Sequence, residues 1–216
     1  MTIPMTSAAS QRTNQKESWA DHWIKTKYLR LMGTMGTHRR KHLTQKERPM
    51  TISKKRLLID TSVLRGLFDE DTPERTACTE RFIDLCRTGI YELFVCPVFT
   101  TEVKKATAKQ LAHINELIEE LHIEILPEND EATTLAQEYK KRPLKTAKGD
   151  RLHLAYATVF ECDTVVSWNM HDLVNEATYK GTWDVNTETG RKAITVETPA
   201  MIMGEGRPEW LPSTTP

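Results

Sequence analysis

Three acidic residues, Asp60, Glu102 and Asp150, fall where apolar runs give way to the starts of helices. Asp60 closes the run Leu57-Leu58-Ile59. Glu102 comes six residues after Cys96, the end of a second apolar run, at the expected start of a helix. Asp150 follows Gly149 and opens an apolar-periodic segment. Asn169 follows a fourth apolar run, and Asp172 lies three residues on. If these runs are parallel strands, their exits share one sheet edge, where open α/β folds bind ligands. Three converging carboxylates cannot all stay ionised without a cation. Hard oxygen donors with no His/Cys set suit Mg²⁺ or Mn²⁺ better than Zn²⁺. Such a centre activates water and neutralises charge on a phosphodiester, with Asn169 orienting a water or the phosphate. Taken singly, each position has a plainer reading: Asp60 and Asp150 as helix caps, Glu102 as a surface helix residue, Asn169 and Asp172 as turn residues.

The elements that must position these residues follow from pattern and punctuation. Strands are expected over Arg56–Asp60, Tyr91–Cys96, Ile123–Leu126, Thr164–Trp168 and Ile194–Val196. Between them, Thr61–Phe68 reads as a helix or turn and Pro73–Thr88 as a helix stopped by Gly89. Val98–Leu121 reads as one or two helices, Asp130–Arg142 as a helix with Asp130 as N-cap, and Gly149–Glu161 as another. His171–Ala177 reads as a short helix, 178–192 as a polar loop or hairpin, and Pro199–Met203 as a last helical turn. Strands alternating with helices predict an α/β fold, a mainly parallel central sheet covered on both faces. The stripe Leu111, Ile114, Leu117, Ile118 and Leu121 has the spacing of a core-facing helix side.

His153 lies three residues after Asp150, one helical turn on and on the same face. It either touches substrate near the site or packs between helices with its ring satisfied. Ahead of Asp150 runs a basic segment: Lys140, Lys141, Arg142, Lys145 and Lys148, extended by Arg151 and by Lys104-Lys105. Cations beside an acidic centre can hold RNA phosphates while the carboxylates hold metal; the alternative is a solvated loop.

The chain of 216 residues has no net charge, yet the charge is unevenly spread. Residues 1–55 hold 12 Lys/Arg and 3 Asp/Glu, a net +9; residues 56–216 hold 18 and 27, a net −9. A basic N-terminal arm, 1–53, therefore precedes an acidic body, 54–205, and a Pro-containing tail, 206–216. The arm reads either as a nucleic-acid or acidic-partner contact or as a solvated tail. Within it Trp19, Trp23, Ile24, Tyr28 and Leu31 have the spacing of a short helix over 18–32. Cys78, Cys86, Cys96 and Cys162 form no CxxC pair and mostly sit in apolar patterns, as expected of buried thiols in a reducing cytoplasm. No apolar stretch reaches membrane-spanning length, and the N-terminus lacks the apolar core of a signal peptide.

Four stretches together resemble the PIN domain family: Leu57-Leu58-Ile59-Asp60-Thr61-Ser62-Val63-Leu64, Cys96-Pro97-Val98-Phe99-Thr100-Thr101-Glu102-Val103, Gly149-Asp150-Arg151-Leu152-His153-Leu154-Ala155-Tyr156-Ala157-Thr158 and Val165-Val166-Ser167-Trp168-Asn169-Met170-His171. The ending Glu197 to Glu205 is similar to the close of one subgroup. The type most similar is the VapC-like ribonuclease toxin of type II toxin–antitoxin systems, over roughly residues 54–205. The resemblance implies a three-layer α/β/α sandwich and a Mg²⁺- or Mn²⁺-dependent endoribonuclease. Asp60, Glu102 and Asp150 would be its acidic metal ligands, Ser62 the polar residue beside the first, and Ser167 the hydroxyl supporting the site. Asn169 stands where many members carry a fourth acid, and a neutral amide weakens a second metal position. The resemblance also implies an RNA substrate, an antitoxin partner and a homodimer, with contacts from the helices near 73–88 and 111–121. Two other classes stay open: a PIN-like module that binds RNA or protein without cutting, and a phosphotransfer enzyme with Asp60 as nucleophile. The second is disfavoured because position 62 is Ser and supplies no general acid.

Overall fold

The computed structural model describes residues 53–142 and 146–211. The N-terminal arm, Lys145 and the end of the tail lie outside the described residues.

Five strands form one all-parallel sheet: β1 (Lys55–Ile59), β2 (Tyr91–Val95), β3 (Glu124–Ile125), β4 (Thr164–Val166) and β5 (Thr195–Glu197). Their order is β3-β2-β1-β4-β5. The chain builds outward from β1 through β2 to β3, then crosses to the other side of β1 for β4 and β5. The order therefore reverses between β1 and β4, where Leu57 pairs with Thr164 and Ile59 with Val166. An open parallel sheet has its ligand crevice at such a switch point, outside the carboxyl ends of the strands.

Eight α-helices flank the sheet among the described residues: α1 (Thr61–Arg65), α2 (Pro73–Arg87), α3 (Pro97–Glu102), α4 (Ala108–Glu120), α5 (Asp130–Lys140), α6 (Lys148–Val159), α7 (Glu176–Glu188) and α8 (Pro199–Ile202). Short 3₁₀ turns follow α1 at Gly66–Phe68 and α3 at Val103–Lys105. The result is the expected three-layer α/β/α sandwich. Leu58, Phe94, Val165 and Val196 share one apolar cluster with Leu135, Tyr139, Leu154 and Val185 of α5, α6 and α7. Strand alternation sends Leu57, Ile59, Leu93, Val95 and Val166 to the other face. All five are buried, as strands covered on both sides must be.

Three local readings need correction. Residues 178–192 are mostly helix, not loop. The buried face of α7 is Thr178, Gly181, Thr182, Val185 and Asn186, a helical spacing carried by small and polar residues. A hydrophobicity pattern misses it because burial there is satisfied by hydrogen bonds. Thr178 Oγ1 donates to the Asp172 carbonyl at 2.8 Å, and Asn186 Nδ2 donates to Thr158 Oγ1 and to the Lys192 carbonyl. The short helix expected over His171–Ala177 is instead a set of turns, and α7 begins at Glu176 behind an Asn175 cap whose side chain accepts from Thr178 N–H. Asn129, rather than Asp130, caps α5.

Candidate metal centre

Asp60 stands at the cap position of α1, but its carboxylate caps no backbone N–H. Its own N–H continues the sheet, donating to the Val166 carbonyl at 2.9 Å. Two serine hydroxyls take the carboxylate: Ser62 Oγ donates to Oδ2 at 2.6 Å and Ser167 Oγ to the same oxygen at 2.5 Å. Ser167 directly follows β4, so this pair ties the two strands across the switch point. The serines also hold the loop after β4, since Ser62 Oγ accepts from Trp168 N–H at 3.0 Å and Ser167 Oγ from Asn169 N–H at 2.9 Å. With Oδ2 engaged, Oδ1 faces His153 Nε2 at 3.4 Å. The plain capping role is thus excluded for the Asp60 side chain.

Glu102 is the last residue of α3, not the first of a helix, because Pro97 starts the helix immediately after Cys96. The single turn and a half brings Glu102 back over the strand ends. Its carboxylate is half-buried, with Oε2 at 3.7 Å from His153 Nε2. Gly149 at the start of α6 lies directly against Glu102; a Cβ there would sit 3.4 Å from Glu102 Oε1, in contact with it.

Asp150 and His153 lie one turn apart on α6. Asp150 Oδ2 accepts from the Ala147 N–H at 3.2 Å, so it steadies the helix start. Oδ1 accepts from Asn169 Nδ2 at 3.3 Å. Burial and then the charge of Asp60 hold the Asp150 carboxyl above its usual range. His153 is fully buried. Its Nδ1 meets Cys96 Sγ at 3.3 Å, and its Nε2 makes no standard hydrogen bond while facing two carboxylates. Burial alone would strip its proton, but Cys96, Asp60 and Glu102 outweigh it and hold the imidazole well above its ordinary pKa. In turn Glu102 lies below the usual carboxylate range, chiefly through His153 and against desolvation.

The ligating atoms of Asp60, Glu102 and His153 all lie within 4.8 Å of one another, and this group could hold a metal ion. Once the imidazole gives up its proton, its buried Nε2 and the two carboxylate oxygens facing it are the kind of donor set a divalent cation satisfies. Of the expected trio, Asp60 and Glu102 fall in this tight group with His153 as its third member, while Asp150, one turn before His153 on α6, is joined to the strand-exit loop through Asn169. Cys96 is fully buried, so its sulfur meets His153 and no substrate.

Asn169 bridges two acids: Nδ2 lies 3.3 Å from Asp150 Oδ1 and 3.4 Å from Asp172 Oδ2, while Oδ1 accepts from Asp172 N–H at 3.1 Å. Asp172 thus reaches the edge of the site through Asn169. The roles of Cys96 and His153 were the hardest to see from sequence. The signal for His153 was its spacing from Asp150; for Cys96 there was only its place at a strand end. No family model matches the chain, and no curated protein does.

The expected RNA-binding cations are scattered in their engagements. Lys141 pairs with Glu138 at 2.7 Å, Arg142 with Glu188, and Arg151 donates to the Thr146 carbonyl. Lys140 and Lys148 are exposed at the end of α5 and the start of α6. His171 is exposed and bonded to Asp172. All four cysteines are free and buried, and among the described residues no helix is long and apolar enough to cross a membrane.

Proposed function

We propose that the chain is a metal-dependent endoribonuclease that hydrolyses RNA phosphodiester bonds, the toxin of a toxin–antitoxin pair as its PIN-like motifs imply. The observation that carries this reading is the convergence of Asp60, Glu102 and His153 within 4.8 Å, at the switch point of a parallel sheet and beside Asp150. Asp60, Glu102 and His153 would hold the ion, and two carboxylates with one imidazole favour Mn²⁺ over Mg²⁺. When bound, the ion lowers the pKa of a water and neutralises charge building on the phosphate.

The chain's own residues do the positioning. Ser62 and Ser167 lock Asp60 Oδ2 and so direct Oδ1 at the site. Asn169 holds Asp150 from the opposite side. Asp150, steadied by the Ala147 N–H and by Asn169 Nδ2, would take the proton of an attacking water. Asn169, on the strand-exit loop, would orient a water or the scissile phosphate.

The test is cleavage of a mixed RNA pool by the purified chain with Mn²⁺, with and without chelator. Cleavage should require the metal and disappear in Asp60→Asn and Asp150→Asn, with circular dichroism unchanged. Wild-type cleavage by either variant, or cleavage in chelator, overturns the assignment. The alternative is a module that binds RNA or protein without cutting. Asn169 favours it, because its amide spends its donors on Asp150 and Asp172 where a fourth acid would bind metal. RNA binding without metal-dependent cleavage would select that reading.

A further inference from the structure

A cavity of about 340 Å³ opens beside the acidic centre. Ser62 belongs to both, lining the cavity while its hydroxyl bonds Asp60. Arg65 lies one turn after Ser62 on α1, on the same face, and also lines the cavity. Every other arginine among the described residues meets a carboxylate or a carbonyl: Arg56, Arg75, Arg81, Arg87, Arg142 and Arg191 pair with acids, Arg207 with Glu197, and Arg151 with Thr146. Arg65 has no such partner among the described residues and is exposed. The one carboxylate lining the cavity, Asp69, is paired with Arg75 at 3.0 Å, so Arg65 leaves the cavity with a surplus positive charge.

Two further walls suit a base. Phe68 lines the cavity, and its ring is braced edge-on by His113, with centroids 5.6 Å apart and planes at 82°. Gln110 closes another side; its Oε1 is taken by Thr107 N–H at 3.0 Å, which leaves its amide N–H groups to donate. A guanidinium without a partner among the described residues, a braced aromatic residue and an amide donor form an acceptor-seeking site. Its volume lies at the low end of ligand pockets, about 300–1,000 Å³, the size of one nucleotide.

We propose that this cavity is a nucleotide subsite for single-stranded RNA. Arg65 takes the phosphate neighbouring the scissile one, Phe68 stacks the base, and Gln110 donates to an acceptor on the base edge. Unstacked bases on aromatic rings with cations on the backbone are how single strands are held. The inference rests on the nuclease reading for its ligand, and it adds to that reading a place for one unpaired nucleotide beside the acidic centre.

The experiment measures anisotropy of a fluorescein-labelled, mixed-sequence single-stranded RNA in chelator, where nothing is cleaved, beside the Mn²⁺ cleavage assay. Arg65→Ala should weaken binding about tenfold and lower the slope of log K against log salt by about 0.7. Arg65→Lys should keep that slope, and Phe68→Ala should weaken binding about tenfold with the slope unchanged. A duplex of the same sequence should bind without sensitivity to Phe68→Ala. Wild-type affinity and slope in Arg65→Ala, or no binding by the wild type, overturns the subsite, even if RNA is cleaved. Binding that depends on Arg65 and Phe68 without any metal-dependent cleavage keeps the subsite and removes the nuclease reading.

Discussion

Replacing Ser167 with alanine tests the idea that two serines, rather than a helix cap, hold Asp60. Ser167 is fully buried. Its hydroxyl donates to Asp60 Oδ2 at 2.5 Å and accepts from Asn169 N–H at 2.9 Å. A hydrogen bond to a charged group contributes about 1.5–3 kcal/mol, and a buried donor left without a partner costs about 1–3 kcal/mol. Ser62 still bonds the same carboxylate oxygen at 2.6 Å, so the carboxylate is not orphaned and the low half of the summed range applies. The expected loss is about 2.5–4 kcal/mol, or roughly 5–16 °C in Tm for a domain of this size. Urea denaturation in chelator measures it without contribution from bound metal. Adding Ser62→Ala should cost more than the two single losses together, because the second removal strips the last hydroxyl from a buried carboxylate; the excess should be about 1–3 kcal/mol. A Ser167→Ala loss under about 0.5 kcal/mol, the range of ordinary surface changes, or strict additivity with Ser62→Ala, would refute the shared clamp.

Three other outcomes follow from the same structure. Calorimetric titration with Mn²⁺ should show binding that weakens at least tenfold in Glu102→Gln and in His153→Gln; an unchanged affinity in His153→Gln would move the ion off the tight group and toward Asp150. Tyr139→Phe should cost about 1–3 kcal/mol in urea denaturation, because the phenol bonds Thr158 at 2.9 Å and donates to Asn186 Oδ1 at 2.7 Å, which would be left buried and unpaired; a neutral change would mean that Asn186 finds another partner. Burial pushes the Asp163 carboxyl up, but the Arg56 N–H and the Lys192 ammonium, each at 2.6 Å, outweigh it and hold it below the ordinary range. A lowered carboxyl contributes stability that is full above its unfolded pKa, about 3.9, and lost as pH falls through the folded value. Asp163→Asn should therefore destabilise at neutral pH and cost progressively less below about pH 4, while a gap constant with pH would exclude the linkage.

The strand and helix order was legible because buried parallel strands read as continuous apolar runs and because Gly, Pro and Asn mark the breaks. The failures came where burial is polar. Helix α7 hides its face in Thr178, Gly181, Thr182 and Asn186, residues whose types suggest turns. His153 likewise reads as an ordinary packing histidine until Asp60 and Glu102 are seen facing its ring. Arg65 and Phe68 carried no motif at all; only the cavity they share marks them out.

By itself the sequence determined the α/β alternation, the acids at the strand exits and the single-turn spacing of Asp150 and His153, since these depend on local period and punctuation. The tertiary structure decided how they meet. Crossing from β3 over to β4 sets Ser167 beside Asp60, residues 107 apart in the chain but bonded at 2.5 Å. It also set the protonation of the group, because burial and neighbouring charge act through space. A buried imidazole between two carboxylates is a property of their distances, and no one-dimensional pattern encodes those.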